Sequence, residues 1–462
     1  MRVFWATLTF WAAFGARLLS SIATVAPDRD TAWYIHMAKQ AREGGFAWLQ
    51  SVFPPLHPWL LSLLGPVSGT QPEDWWLSAQ LLCSFEGALA TALFYWVFSR
   101  RFGWRLASLA ALSLGFNSVS CGTAADGMTE PLFQLFLVLG IGVWLWNQRA
   151  WFFPSLFLGF LPLIRPEGLI LLPWAWWLSG RRSKALILPS LLLSLGPRMI
   201  YLYLRFQVTG DLSLFPKGAF MRHLSVFSEE SLIQGLQHWG REASQFFGQG
   251  FEGMGFFIWP LFLFGGAWFW TKKSGWTRPF RILSFLLLLG LLIVPLYHAN
   301  RRFHTTWLPL ALCLGLIPFI CATRRIQNIL LLLGLAALVP SLVRIMKVRR
   351  ASLIQDRALG VALRKKLPKK GGIASDLPRL LFFSGRSPLP PRHLSAQDLR
   401  KLAAKKKTVA VVSLKKRKKL NPGFLRGLGY REMSLSHILE KKNRIENKRG
   451  LQLFIRETVM VK

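Results

Sequence analysis

The chain has 462 residues, of which 52% are hydrophobic, with 21 Trp and 36 Phe and a formal net charge of +37. This profile excludes an ordinary soluble enzyme. Long apolar runs separated by short basic loops describe a polytopic membrane protein instead. The charge is uneven: from Arg344 onwards there are 32 Lys and Arg against 7 Asp and Glu, a net +25. Such a tail can serve nucleic acid. A membrane protein has nearer anionic partners in lipid headgroups and lipid-linked phosphates, so lipid is the expected partner and nucleic acid is not.

About eleven apolar runs read as spans: Val3–Thr24, Trp75–Phe98, Leu106–Val119, Met128–Trp146, Trp151–Ile164, Gly168–Leu178, Ala185–Leu204, Met254–Trp270, Ile282–Tyr297, Thr305–Ile320 and Ile326–Val343. The first lacks a small-residue cleavage site and reads as a retained anchor. Cys83, Cys121, Cys313 and Cys321 lie in or beside these runs at no metal-ligand spacing, which predicts buried thiols, with neither a disulfide frame nor a zinc site. Arg100, Arg101, Arg105, Arg149, Arg181, Arg182, Lys184, Lys272, Lys273, Arg278, Arg281, Arg324 and Arg325 fall on alternate loops. The positive-inside rule puts those loops in the cytoplasm. The first loop, 25–74, and the long loop, 209–253, are then extracytoplasmic, and an odd span count takes the tail to the same side.

The chain is organised around Ala26-Pro27-Asp28-Arg29-Asp30-Thr31-Ala32-Trp33-Tyr34, at the exit of the first run. Trp33, Tyr34, Met37, Ala38 and Ala41 share one helical face; His36, Lys39, Gln40, Arg42 and Glu43 share the other. The pattern predicts an amphipathic helix lying in the membrane interface, with Asp30 as its N-cap and Gly44-Gly45 as its end. Phe53-Pro54-Pro55-Leu56-His57-Pro58 then forms a rigid turn into an apolar helix.

Asp30-x-x-x-Tyr34-x-x-x-Ala38, the Gly pair and Pro54-Pro55-Leu56 resemble the first extracytoplasmic loop of the polyprenyl-phosphate-sugar-dependent membrane glycosyltransferases of the GT-C type, the protein mannosyltransferases and aminoarabinose transferases among them. Thr31 stands where many members have Glu, and Phe53 where many have Lys. The resemblance implies a GT-C helical fold and makes Asp30 the catalytic residue, with Asp28, Asp126 and Glu130 as secondary candidates.

Further stretches fit it. Asp126-Gly127-Met128-Thr129-Glu130-Pro131 precedes a span, and the bland reading of Glu130 is a carboxylate at a helix N-terminus. Arg165-Pro166-Glu167-Gly168 lies between two apolar runs, where charge is expensive and often functional; Arg165 and Glu167 can also simply pair with each other or with Glu130. Gly210-Asp211 leads to Lys217, a candidate phosphate binder whose bland reading is a snorkelling Lys. His298-Ala299-Asn300-Arg301-Arg302-Phe303-His304 is a basic cluster on the side that should be least basic.

The reading is an inverting transferase. Asp30 acts as general base on the acceptor, and Arg301, Arg302, Lys217 and Arg165 neutralise the departing phosphate. Tyr34, His57, Glu167 and His304 complete the site. No cofactor is expected. A divalent metal is not favoured, although Asp28-Arg29-Asp30 has an Asp-x-Asp form. Donor and acceptor are a polyprenyl-phosphate sugar and a lipid, glycan or protein, met outside a bacterial inner (plasma) membrane. The rivals are a flippase of lipid-linked intermediates, which would show paired repeats with broken helices, and an anchored protein that binds through its basic tail.

Residues 1–343 form the membrane domain and 344–462 a basic soluble domain. In the latter, Gly371–Asp376 and Thr408–Ser413 read as strands, Asp398–Lys405 and Ser434–Lys441 as helices, and Leu451–Arg456 as an edge strand, a small α/β domain. Asp376-Leu377-Pro378 with Phe383-Ser384-Gly385-Arg386 is similar to a piece of the tail domains of the same transferases.

Overall fold

The computed structural model describes residues 1–51, 53–147, 152–211, 232–255, 257–271, 278–293, 302–320, 322–347, 354–366, 372–375, 378–385, 408–414, 430–433 and 451–456. The chain divides into two compact units. One takes Met1–Ala23, Met37–Leu64 and Ala79–Lys347; the other takes Thr24–His36, Gly65–Ser78 and Val348–Lys462.

The larger unit is a helical bundle around one continuous apolar core, in which Trp174, Trp307, Phe133 and Phe262 are fully enclosed. Helix α1 spans Arg2–Ile22, α3 Leu56–Leu64 and α4 Pro72–Phe102. The run expected as one span over 106–119 is two helices, α5 (Trp104–Gly115) and α6 (Ser118–Asp126), bent by 45°. Asn117 makes the break. Its side chain accepts from the Ser120 N–H, capping α6, and donates to the Gly253 carbonyl at 3.0 Å. A polar cap side chain competes with the helix ladder it would otherwise sit in. Arg17 of α1 covers the open end of α5: it is buried and donates to the Gly115 carbonyl at 3.1 Å, one of the last four carbonyls that a helix cannot satisfy itself.

Helix α6 stops at Gly127, whose φ of 75° is left-handed, and α7 (Glu130–Trp146) follows with Pro131 in its first turn. Helix α8 spans Phe152–Ile164. Pro166 then forces Arg165 into extended backbone, φ −153° and ψ 136°. The chain resumes as a 3₁₀ turn, Pro166–Leu171, and α9, Leu172–Arg182, so the expected span at Gly168–Leu178 begins off the α-helical ladder. Helix α10 covers Ile187–Thr209. A Cβ at Gly159 would come within 2.7 Å of Ser194 backbone, so glycine is what lets α8 and α10 close up.

The expected long loop at 209–253 holds a 22-residue helix, α11 (Leu232–Gly253); Lys217 lies outside the described residues. Helices α12 (Ile258–Thr271), α13 (Arg278–Ile293), α14 (Arg302–Thr306), α15 (Leu308–Leu316) and α16 (Arg324–Met346) complete the bundle. Among the described residues four helices are long and apolar enough to cross a membrane, or up to six if each of two bent pairs is one span. Glu130–Trp146, Phe152–Ile164 and Leu308–Phe319 are shorter apolar helices.

In the smaller unit, the segment Thr24–His36 contains the start of α2, which runs Arg29–Arg42. Along α2 the expected apolar face is buried at Trp33, Tyr34, Met37 and Ala38, while on the expected polar face His36, Lys39 and Gln40 are half-buried and Arg42 and Glu43 are exposed. The tail contributes α17 (Ile354–Lys366), α18 (Pro378–Phe383) and four strands, β1 (Gly372–Ser375), β2 (Thr408–Leu414), β3 (Tyr430–Met433) and β4 (Leu451–Arg456). Their order is β1-β2-β4-β3, with β1 and β2 parallel and the other pairs antiparallel. Leu451–Arg456 is therefore an inner strand and not an edge; β3, which has little alternation to betray it, takes the edge. The expected helices at Asp398–Lys405 and Ser434–Lys441 lie outside the described residues. Arg364 forks onto Glu73 at 2.8 and 3.1 Å, and Arg357 donates to the Val25 carbonyl. These bonds tie α17 to both ends of the first loop.

Candidate functional site

The start of α2 is capped by Asp28 and not by Asp30. Asp28 Oδ1 accepts from the Asp30 N–H at 3.1 Å, the bond an N-cap makes to the second helical residue. The sequence could not rank two aspartates two positions apart as caps; the helix start at Arg29 does. Arg379 of α18 braces the same turn, donating to the Pro27 carbonyl at 2.8 Å with a terminal nitrogen 4.0 Å from Asp28 Oδ2. Asp30 sits in the first turn, partly exposed, where the helix dipole favours a carboxylate. Tyr34 follows one turn later and is buried.

A second constellation lies within the bundle. Glu130, with no exposed side-chain surface, accepts from Arg165 Nη1 at 2.6 Å, while Arg165 Nη2 reaches Glu167 at 3.1 Å. Arg302 Nε stands 3.9 Å from the same Glu130 oxygen. Phe303 lies beneath both guanidinium groups, 4.8 Å from Arg165 and 5.7 Å from Arg302. Two cations and two carboxylates thus neutralise one another. Arg165 spends both terminal nitrogens on carboxylates, the structural alternative its sequence context allowed. Arg302 keeps more exposure, at 21% of its side chain. Its neighbour Arg301 lies outside the described residues.

His304 packs inward. Its ring stacks on Phe246 with centroids 4.0 Å apart, and Nε2 meets the Phe246 carbonyl at 2.8 Å. Asp126 is buried at the last position of α6. His57 is buried in the first turn of α3, and Cys83 Sγ stands 4.0 Å from its Nε2. Sequence reasoning passed over Arg205, which is buried in α10 and donates to the carbonyls of Leu49 and Ser51 at 3.0 and 2.6 Å. It also passed over Glu86 in α4. The signal was present in both cases: a charge inside an apolar run.

Taken together, the bundle has the fold of solved structures of ArnT and of an archaeal oligosaccharyltransferase. Cupriavidus metallidurans ArnT in the apo state aligns over 97% of this chain and 97% of its own, with a TM-score of 0.61 at 12% identity. The same protein bound to undecaprenyl phosphate gives 0.59 at 13% identity, again over 97% of both chains. The Archaeoglobus fulgidus oligosaccharyltransferase in complex with Zn and sulfate gives 0.52 at 14% identity, over 87% of this chain and 68% of its own. Neither a protein-family model nor a curated protein sequence matches the chain.

Proposed function

We propose that the protein is a membrane glycosyltransferase that moves a sugar from a polyprenyl-phosphate carrier to a lipid, glycan or protein acceptor on the extracytoplasmic face. The observation that carries this reading is the end-to-end fold match to ArnT, together with a carboxylate in the first turn of the helix that follows α1. In this reading Asp30 takes the proton of the acceptor hydroxyl as it attacks the anomeric carbon. The bond to the carrier phosphate breaks with inversion, and the phosphate leaves as an anion that needs no proton. Arg302, with Arg301 and Lys217, meets the charge that builds on it. Asp28 and Arg379 hold the turn so that Asp30 keeps its place. Arg165, Glu130 and Glu167 position Arg302 and Phe303. The bonds from α17 and α18 to the first loop support a tail on the same side as Asp30.

The test is transfer of labelled sugar from synthetic polyprenyl-phosphate sugars by the purified protein in liposomes. Labelled acceptor supports the reading. Labelled carrier that changes leaflet without release of its sugar favours a flippase and removes it.

A further inference from the structure

Cys83 and Glu86 stand three residues apart on α4 and so share a face. His57, in the first turn of α3, meets them there. All three are buried, and one donor atom from each lies within 4.8 Å of the others. Glu86 is 3% exposed, and neither of its oxygens has a hydrogen-bond partner among the described residues. An ionised carboxylate in an apolar interior is expensive without a counter-charge, so it holds a proton or meets a cation. Arg17 packs against Gly87 but turns Nη1 to the Ala13 and Gly115 carbonyls.

We propose that His57, Cys83 and Glu86 bind a divalent transition-metal ion of the zinc class. An imidazole nitrogen, a thiolate and a carboxylate are three ligands of the kind zinc takes with a fourth position left open. The sulfur disfavours magnesium and calcium, which select oxygen. Zinc bonds of about 2.0–2.3 Å place neighbouring donors roughly 3–4 Å apart. The 4.0 Å between His57 Nε2 and Cys83 Sγ already meets that spacing, and a Glu86 oxygen lies within 4.8 Å of both. Binding releases the Cys83 thiol proton to solvent, and with it the bond from Sγ to the Met128 carbonyl. The ion would then join α3 and α4 just below the turn that leads to Glu130, a turn that Gln80 already grips through the Ala125 carbonyl at 2.7 Å.

The experiment uses full-length protein in detergent, stripped with a chelator and reloaded with Zn²⁺ or, separately, Co²⁺. We expect about one equivalent of zinc to survive dialysis. The Co²⁺ form should show sulfur-to-cobalt charge-transfer absorption, including in a Cys121→Ser/Cys313→Ser/Cys321→Ser background where Cys83 is the only thiol. Cys83→Ser and Glu86→Gln should each lower retained zinc by at least about tenfold. Should either variant fail to accumulate, the cobalt spectrum of that single-thiol background decides alone. Absence of the sulfur band there, or equal zinc in the wild type and Glu86→Gln, overturns the proposal in favour of a protonated Glu86.

Discussion

Two helix starts in this protein carry a carboxylate in the first turn, and they behave differently. At α7, Glu130 is wholly enclosed and faces Arg165 at 2.6 Å and Arg302 at 3.9 Å. At α2, Asp30 is partly exposed, while the capping bond and the nearest arginine fall to Asp28. A wholly enclosed carboxylate bonded to a guanidinium group serves the bundle as a charge partner. One in the first turn of a helix, with part of its surface exposed, is within reach of a ligand. The comparison teaches that depth and partners, more than residue type, set these two acids apart, and the proposed catalytic role falls to the shallower one.

The largest break should come at α2. Asp30→Asn preserves shape and removes the proton acceptor, so transfer should fall by about 100- to 10,000-fold while the protein still inserts and binds donor. Labelled-sugar turnover reads this directly; near wild-type turnover would move the base to Asp28, Asp126 or Glu130.

At α7 the expected loss is of stability. Arg165→Ala removes the guanidinium 2.6 Å from the enclosed Glu130 and leaves it, among the described residues, only Arg302 at 3.9 Å, which costs roughly 3–5 kcal/mol and should show as a lower Tm in detergent. An unchanged Tm would mean that the Arg165–Glu130 pair does not hold the start of α7, and the contrast between the two helix starts would collapse.

Arg302 sharpens the contrast, since it touches the buried cluster yet retains exposure. Arg302→Ala should weaken donor binding by about ten- to a hundredfold, the equivalent of roughly 1.5–3 kcal/mol for a charge-assisted contact. Arg302→Lys should restore only part of it, because an ammonium cannot reproduce a bidentate grip on phosphate. Donor titrations in which the Ala variant binds as wild type would leave Arg302 as a structural partner of Glu130 alone.

The smallest effect belongs to the cap. Asp28→Asn keeps a capping oxygen and should transfer sugar at close to the wild-type rate; Asp28→Ala should cost about 1 kcal/mol of helix stability and slow the reaction through a looser turn. Equal rates for both variants would show that the cap does not position Asp30.

Much of this was legible in the residues themselves. Apolar runs and the +25 tail declare a membrane protein because transfer into lipid depends on local composition. The starts of α7 and α8 were readable within a few residues, and the spacing of Asp30 to Tyr34 was enough to propose it as the base. The tertiary structure decided the rest. A sequence cannot show that Arg165 spends itself on Glu130, 35 residues away, since a paired and an unpaired arginine are spelled alike. Nor can it show that Leu451–Arg456 lies inside its sheet, because alternation reports one buried face and not which strands flank it. Cys83 offers no metal spacing along the chain, and only the packing of α3 on α4 brings His57 to it. Propensity and hydropathy act between near neighbours, whereas charge partners and ligand sets are chosen by whatever the folded chain brings within a few ångströms.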